Sequence, residues 1–317
     1  MRCWILALLA ACSGGEDEPV DDTDAPVSPL LDEYPLPDDA WPESVAWDPA
    51  TRRFFTSSLA RGDVAAIAAD GTVSTFAAGD GAEGRATVGV EVDADRRRLW
   101  ACAILVDGSE PGELWVYDLD TGEQLATIGL GAALEGASCT DVTFDAGGVA
   151  YVTDRENAAI YPVDLDEGVP TLWSDAAALA PGVIGSNGVA FTPDGAHLIV
   201  TKYLPAALVR ISVADPSDAV EIPLTGDPLE GGSGLNGADD AVFLDGTLYV
   251  TLVDRLMTVV PDDAAWSGAS VSAADLPDGG VTGLVAADAR IFAANGQAVE
   301  FTFGQDPAPF WIRSVGP

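Results

Sequence analysis

Three hard oxygen donors, Glu43, Asn187 and Asp239, stand at equivalent positions of a repeated hairpin. Two carboxylates and an amide carbonyl, with no Cys or His beside them, suit Ca²⁺ first, then Mg²⁺ or Mn²⁺, with Zn²⁺ a poorer match. Three protein ligands leave coordination positions for water and substrate, as a catalytic site requires. The chemistry such a set can support is hydrolysis: one divalent cation polarises a carbonyl, and a carboxylate takes a proton from the attacking water. Asp239 is the first choice for that base, with Glu43 as its partner.

The elements that must gather these residues are legible as a repeat. Asn187 opens the strand Asn187-Gly-Val-Ala-Phe191, which turns through Thr192-Pro-Asp-Gly195 into Leu198-Ile-Val-Thr201, an alternating hairpin with a Pro-Asp-Gly turn. The pattern returns from Glu43, Val88, Thr140, Asp239 and Thr282, in steps of 45, 52, 47, 52 and 43 residues. A period near 40–50 with several short strands per unit marks a β-propeller blade. The expected fold is therefore all-β, a six-bladed β-propeller of four-stranded antiparallel blades, with 34 Gly and 21 Pro spread as turn punctuation. In the sixth blade, Ala298–Phe303 and Pro309–Val315 read as the outer strands. A further strand from the N-terminal segment is left open.

In a propeller the innermost strands run along the central channel, so the first residues of the repeats form a ring: Glu43, Val88, Thr140, Asn187, Asp239 and Thr282. Near the same rim, at the fourth positions of the second strands, stand Ser58, Ala103, Asp154, Lys202, Leu252 and Asn295. Thr140, Asp141, Asp154, Lys202 and Asn295 are the candidate substrate contacts. Lys202, the only lysine, either holds an anionic group or pairs with Asp154 or Asp239. His197, the only histidine, lies at the opposite end of its hairpin, which disfavours a Ser-His-Asp triad. Arg96-Arg97-Arg98 occupies a similar turn and reads as a solvated patch.

Three motifs carry a family resemblance: Pro42-Glu43-Ser-Val-Ala-Trp47-Asp48, Asn187-Gly-Val-Ala-Phe-Thr-Pro-Asp-Gly195 and Asp239-Asp-Ala-Val-Phe243. They resemble the metal-binding signatures of the senescence marker protein, gluconolactonase and luciferin-regenerating enzyme family, which includes regucalcin. The resemblance covers residues 41–317. It implies a divalent cation on Glu43, Asn187 and Asp239 and hydrolysis of a lactone or related ester. The chain departs from the family at Thr140-Asp141, where members acting on sugar lactones usually carry Asn-Asp, and at Asp240, where Gly often follows the aspartate. The competing expectation is a non-catalytic propeller that binds a ligand or an envelope protein; a strictosidine-synthase-like condensing role is a third.

With 51 acidic against 14 basic residues and a net charge of −37, the chain lacks the cations that a nucleic-acid partner needs. Residues 1–11 read as a signal peptide too short to span a bilayer, and Leu9-Ala-Ala-Cys12 resembles the bacterial lipobox, with Cys12 lipidated. Residues 12–40, acidic and Pro-rich, read as a disordered tether, and 41–317 as the propeller. The expected setting is export, with a lipid anchor in the bacterial cell envelope as the only membrane contact, and a monomeric state. Cys102 and Cys139 sit on adjacent blades, as a disulfide or as two buried thiols.

Overall fold

In this computed structural model the described residues are 29–180, 182–229, 237–276 and 278–317. The signal peptide, Cys12 and the tether up to residue 28 lie outside them.

Six sheets, antiparallel apart from one added edge strand, form a six-bladed β-propeller. The innermost strands are Val45–Asp48, Arg85–Asp93, Val142–Phe144, Ile184–Phe191, Ala238–Leu244 and Val281–Ala287. Each pairs with the second strand of its repeat in the hairpin register read from the sequence, for example Val189 opposite Val200 and Ala241 opposite Val250. The third blade has three strands, its outer edge supplied by a single bridge between Ile160 and Ser174. The fifth carries an added strand, Leu224–Gly226, parallel to its outermost one.

Blades are apolar on both faces because each packs between two others. Six clusters of buried residues fill the six interfaces; Trp100 faces the third blade while its neighbour Leu99 faces the first. Period-two alternation thus sends successive side chains into different clusters. Each large side chain so buried contributes about 1.5–3 kcal/mol. Cys102 and Cys139 form a disulfide across the second interface, which decides between the two expectations for these thiols.

Three expectations are corrected. Residues 29–40 belong to the propeller rather than to the tether: Glu33–Pro35 pairs antiparallel with Trp311–Ser314 and completes the sixth blade. Tyr34 is fully buried against Phe54 and Phe292, so this strand also seals the interface between the last and first blades. Ala298–Thr302 is a short helix, α1, not a strand, because Trp311–Ser314 already occupies the sheet edge beside Arg290–Asn295. The arginine turn is not merely solvated: Arg97 forms a two-pronged ion pair with the fully buried Asp48 of the first blade, at 2.7 and 2.9 Å.

Candidate functional site

The innermost strands of four blades break register at the ring positions: between Thr87 and Val90, Ser186 and Val189, Ala238 and Ala241, and Val281 and Gly283. A bulge inserts residues without a partner and re-aims their side chains. Here the re-aimed residues include Asn187 and Asp239. Their main chain is then fixed from the preceding blade. Thr153 Oγ1 donates to the Asn187 carbonyl (2.6 Å), Thr201 Oγ1 to that of Asp239 (2.7 Å) and Thr282 Oγ1 to that of Glu43 (2.5 Å).

The residue after each ring position sets how closely neighbouring blades approach. Gly89, Gly188 and Gly283 alternate around the axis with Asp141, Asp240 and Ser44. A Cβ on these glycines would lie 2.5, 2.6 and 2.7 Å from the Cα of Asp141, Asp240 and Ser44 respectively. Only glycine permits that contact. The two aspartates use the closeness: Asp141 Oδ2 accepts the Val189 N–H (3.1 Å), and Asp240 Oδ2 accepts the Leu284 N–H (2.7 Å). Asp240 therefore ties the fifth blade to the sixth.

Glu43, Asn187 and Asp239 line one axial cavity of about 10 Å³, together with Thr140, Asp141 and Asp240. That is room for roughly one water-sized body. Asn187 Nδ2 donates to Asp239 Oδ1 at 2.6 Å, which directs the amide oxygen the other way. On one side the cavity meets a mouth of about 210 Å³ that shares Glu43, Asn187 and Asp239 as its floor. On the other it meets a chamber of about 370 Å³ that shares Asp141 and Asp240 and adds Glu91.

Carboxylates accumulate along this axis with little to balance them. Burial, then repulsion from Asp240, raises Glu43 above the usual carboxylate range, while Arg155 acts in the opposite sense. Asp239 is raised by burial, Glu43 and Asp240. Burial also raises Asp240, against two backbone N–H donors, and Asp141, which Asp240 further repels. Glu91 is pushed up to about 8 by burial and by the charges of Asp240 and Asp93. A site of this kind takes up protons or a cation to relieve the repulsion. Two carboxylates and an amide around a water-sized cavity fit a hard divalent cation in donor chemistry. Among the described residues, however, no three His, Cys, Asp or Glu side chains are grouped as ligands of one ion.

Of the residues nominated from the sequence as substrate contacts, Thr140 and Asp141 line the axial cavity. The other three do not line it. Asp154 is fully buried and accepts from five donors, among them Ser138 N–H and Tyr161 Oη–H, which leaves its carboxylate committed to the turn. Asn295 donates to the Gly279 carbonyl and accepts from Gln297. Lys202 is buried beside Ser186, lines neither the axial cavity nor the mouth, and forms no ion pair with Asp154 or Asp239.

Sequence reasoning missed Arg155 and Tyr203, which wall the mouth beside Glu43. Each stands one residue beyond the fourth position of its second strand, so the usable signal lay one step further along the chain. The Arg155 N–H donates to Thr140 Oγ1 (3.2 Å), so the Thr140 hydroxyl holds the backbone that carries this guanidinium.

No protein-family model matches the sequence, and no curated protein matches it significantly. Solved structures do match in fold. The major allergen Mala s 1 of Malassezia sympodialis aligns over 90% of this chain and 96% of its own, with a TM-score of 0.70 and 16% identity. A gluconolactonase from Xanthomonas campestris aligns over 90% and 89%, with a TM-score of 0.63 and 20% identity. Virginiamycin B lyase from Staphylococcus aureus aligns over 89% and 98%, with a TM-score of 0.56 and 12% identity. At these identities the shared property is the propeller.

Proposed function

We propose that this chain is a divalent-cation-dependent hydrolase of a lactone or related ester. One observation carries the reading: Glu43, Asn187 and Asp239, from three separate repeats, meet at one water-sized cavity that floors an open mouth. The fold shared with the Xanthomonas gluconolactonase is in keeping with it. Glu43, Asn187 and Asp239 would hold the cation, Ca²⁺ first among the candidates. When bound, it would polarise the scissile carbonyl and offset the charge developing on its oxygen.

The chain's own residues supply the rest. Asp239, at the floor of the mouth, accepts the proton of the attacking water. The Asn187 amide fixes the orientation of that carboxylate. Arg155, at the rim, offers a guanidinium to the departing carboxylate product. We further propose that the chain is exported and anchored through Cys12, to be tested by incorporation of labelled palmitate.

The second reading is a non-catalytic propeller that binds a ligand or an envelope protein. Assays of aliphatic, aromatic and sugar lactones with Ca²⁺, Mn²⁺, Zn²⁺ or chelator separate the two. The hydrolase reading expects cation-dependent turnover that Asp239→Ala abolishes while circular dichroism stays native. Equal rates in all arms, or full activity in Asp239→Ala, would remove it.

A further inference from the structure

The mouth above the three donors has two unlike halves. Its floor and one wall are polar, made by Glu43, Asn187, Asp239 and Arg155. The rest of the lining is mainly apolar: Ile184, the Tyr203 ring, Ala298, Val299 and Phe303, with Thr302 among them, whose hydroxyl donates to the Ala298 carbonyl within α1 (Ala298–Thr302). Apolar surface continues outward, where Val183 is 76% exposed and Phe303 62% exposed.

This wall is held in place from behind. Gln297 precedes α1 at a positive φ of 51°, and its side chain bonds Asn295, the Ala308 carbonyl and the Ala308 N–H. Phe301, on the reverse side of α1, packs edge-on against Trp41 at 5.2 Å. The helix therefore commits Phe301 to the body of the protein and leaves Val299 and Phe303 to the mouth.

A polyhydroxylated ring in this mouth would set hydroxyls against Val299, Phe303 and Ile184, which cannot hydrogen-bond them. Burying an unpaired hydroxyl is unfavourable, whereas burying an alkyl or aryl group there is favourable. We propose that the substrate places its reacting ring or ester over the carboxylates and an alkyl or aryl substituent against α1. It is thus an apolar lactone or ester, not a sugar lactone. The volume, about 210 Å³, limits it to a ring and a short substituent, since pockets for drug-sized ligands run to about 300–1,000 Å³. This inference rests on the hydrolase reading for the reacting group but not for the wall that selects the substituent.

The test uses lactams, which keep the shape of lactones and resist hydrolysis. Binding of 5-pentylpyrrolidin-2-one, pyrrolidin-2-one and gluconolactam is measured by calorimetry on the folded protein with Ca²⁺ present. Each buried methylene should tighten binding about fourfold, so the pentyl lactam should bind at least about tenfold tighter than the unsubstituted ring, and gluconolactam no tighter than that ring. The double variant Val299→Ser, Phe303→Ser, checked for native circular dichroism, should cut the pentyl advantage to within about twofold. A preference for gluconolactam, a pentyl advantage that survives in the variant, or no binding of any lactam would overturn the proposal. Because the probes are not turned over, failure of lactone hydrolysis would remove the hydrolase reading while leaving this result to stand or fall separately.

Discussion

Replacing Glu91 by Gln should change stability by less than about 1 kcal/mol at pH 5 and raise it further at pH 8.5. Glu91 lies on the innermost strand of the second blade and lines the chamber shared with Asp141 and Asp240. Burial, then Asp240 and Asp93, moves its pKa from 4.5 to about 8 in the fold. Between those values the folded protein binds a proton that the unfolded chain has released. Stability from this group is therefore complete below about pH 4.5 and is lost as pH rises through about 8. At 1.36 kcal/mol per unit, the shift sets a ceiling of about 5 kcal/mol. The side chain is only partly shielded from solvent, so about 2–3 kcal/mol is the working figure. For a chain of this size that corresponds to roughly 3–5 °C in Tm. Gln keeps the shape of the protonated acid and removes the titration. Thermal melts followed by circular dichroism, in chelator so that no cation replaces the proton, measure the difference at both pH values. A Tm difference that is equal at pH 5 and pH 8.5, or a variant less stable at pH 8.5, would refute the argument.

Other outcomes follow from the packing. Removing the disulfide with Cys102→Ala and Cys139→Ala opens a 37-residue loop and should cost about 3–4 kcal/mol in denaturant unfolding. Gly188→Ala forces a Cβ to within 2.6 Å of the Asp240 backbone and should cost about 1–3 kcal/mol, with weakened cation binding because Asn187 precedes it. Tyr34→Ala empties the seal between the first and last blades and should cost about 3–5 kcal/mol, whereas an unchanged melting curve would show that Glu33–Pro35 is dispensable.

The blades were legible because each repeat encodes the same local choices: alternation, a turn, then a β-branched return. That register alone brought Glu43, Asn187 and Asp239 to one axis, although 52 residues or more separate each from the next. What escaped were contacts between repeats. The threonines that hold the Asn187 and Asp239 carbonyls end the recurrent Val-Thr of the second strands, at Thr153 and Thr201, yet nothing within one repeat reveals that their hydroxyls act on the next. Asp240 looked like a blemish in a motif because its partner, Leu284, lies 44 residues away. The closing strand was hidden by its shortness and by the acidic, Pro-rich stretch around it. Helix α1 was read as a strand because Val299, Phe301 and Phe303 alternate with polar residues, and alternation says nothing about whether a sheet edge is free.

The most direct test of the account is the binding of Ca²⁺ or Mn²⁺ to chelator-treated protein, measured by titration calorimetry on the parent chain and on Glu43→Gln, Asp239→Asn. One ion per chain in the parent, and none in the folded variant, is the predicted result. An ion that binds both proteins alike, or no ion bound by the parent, would contradict a cation centre built on Glu43, Asn187 and Asp239.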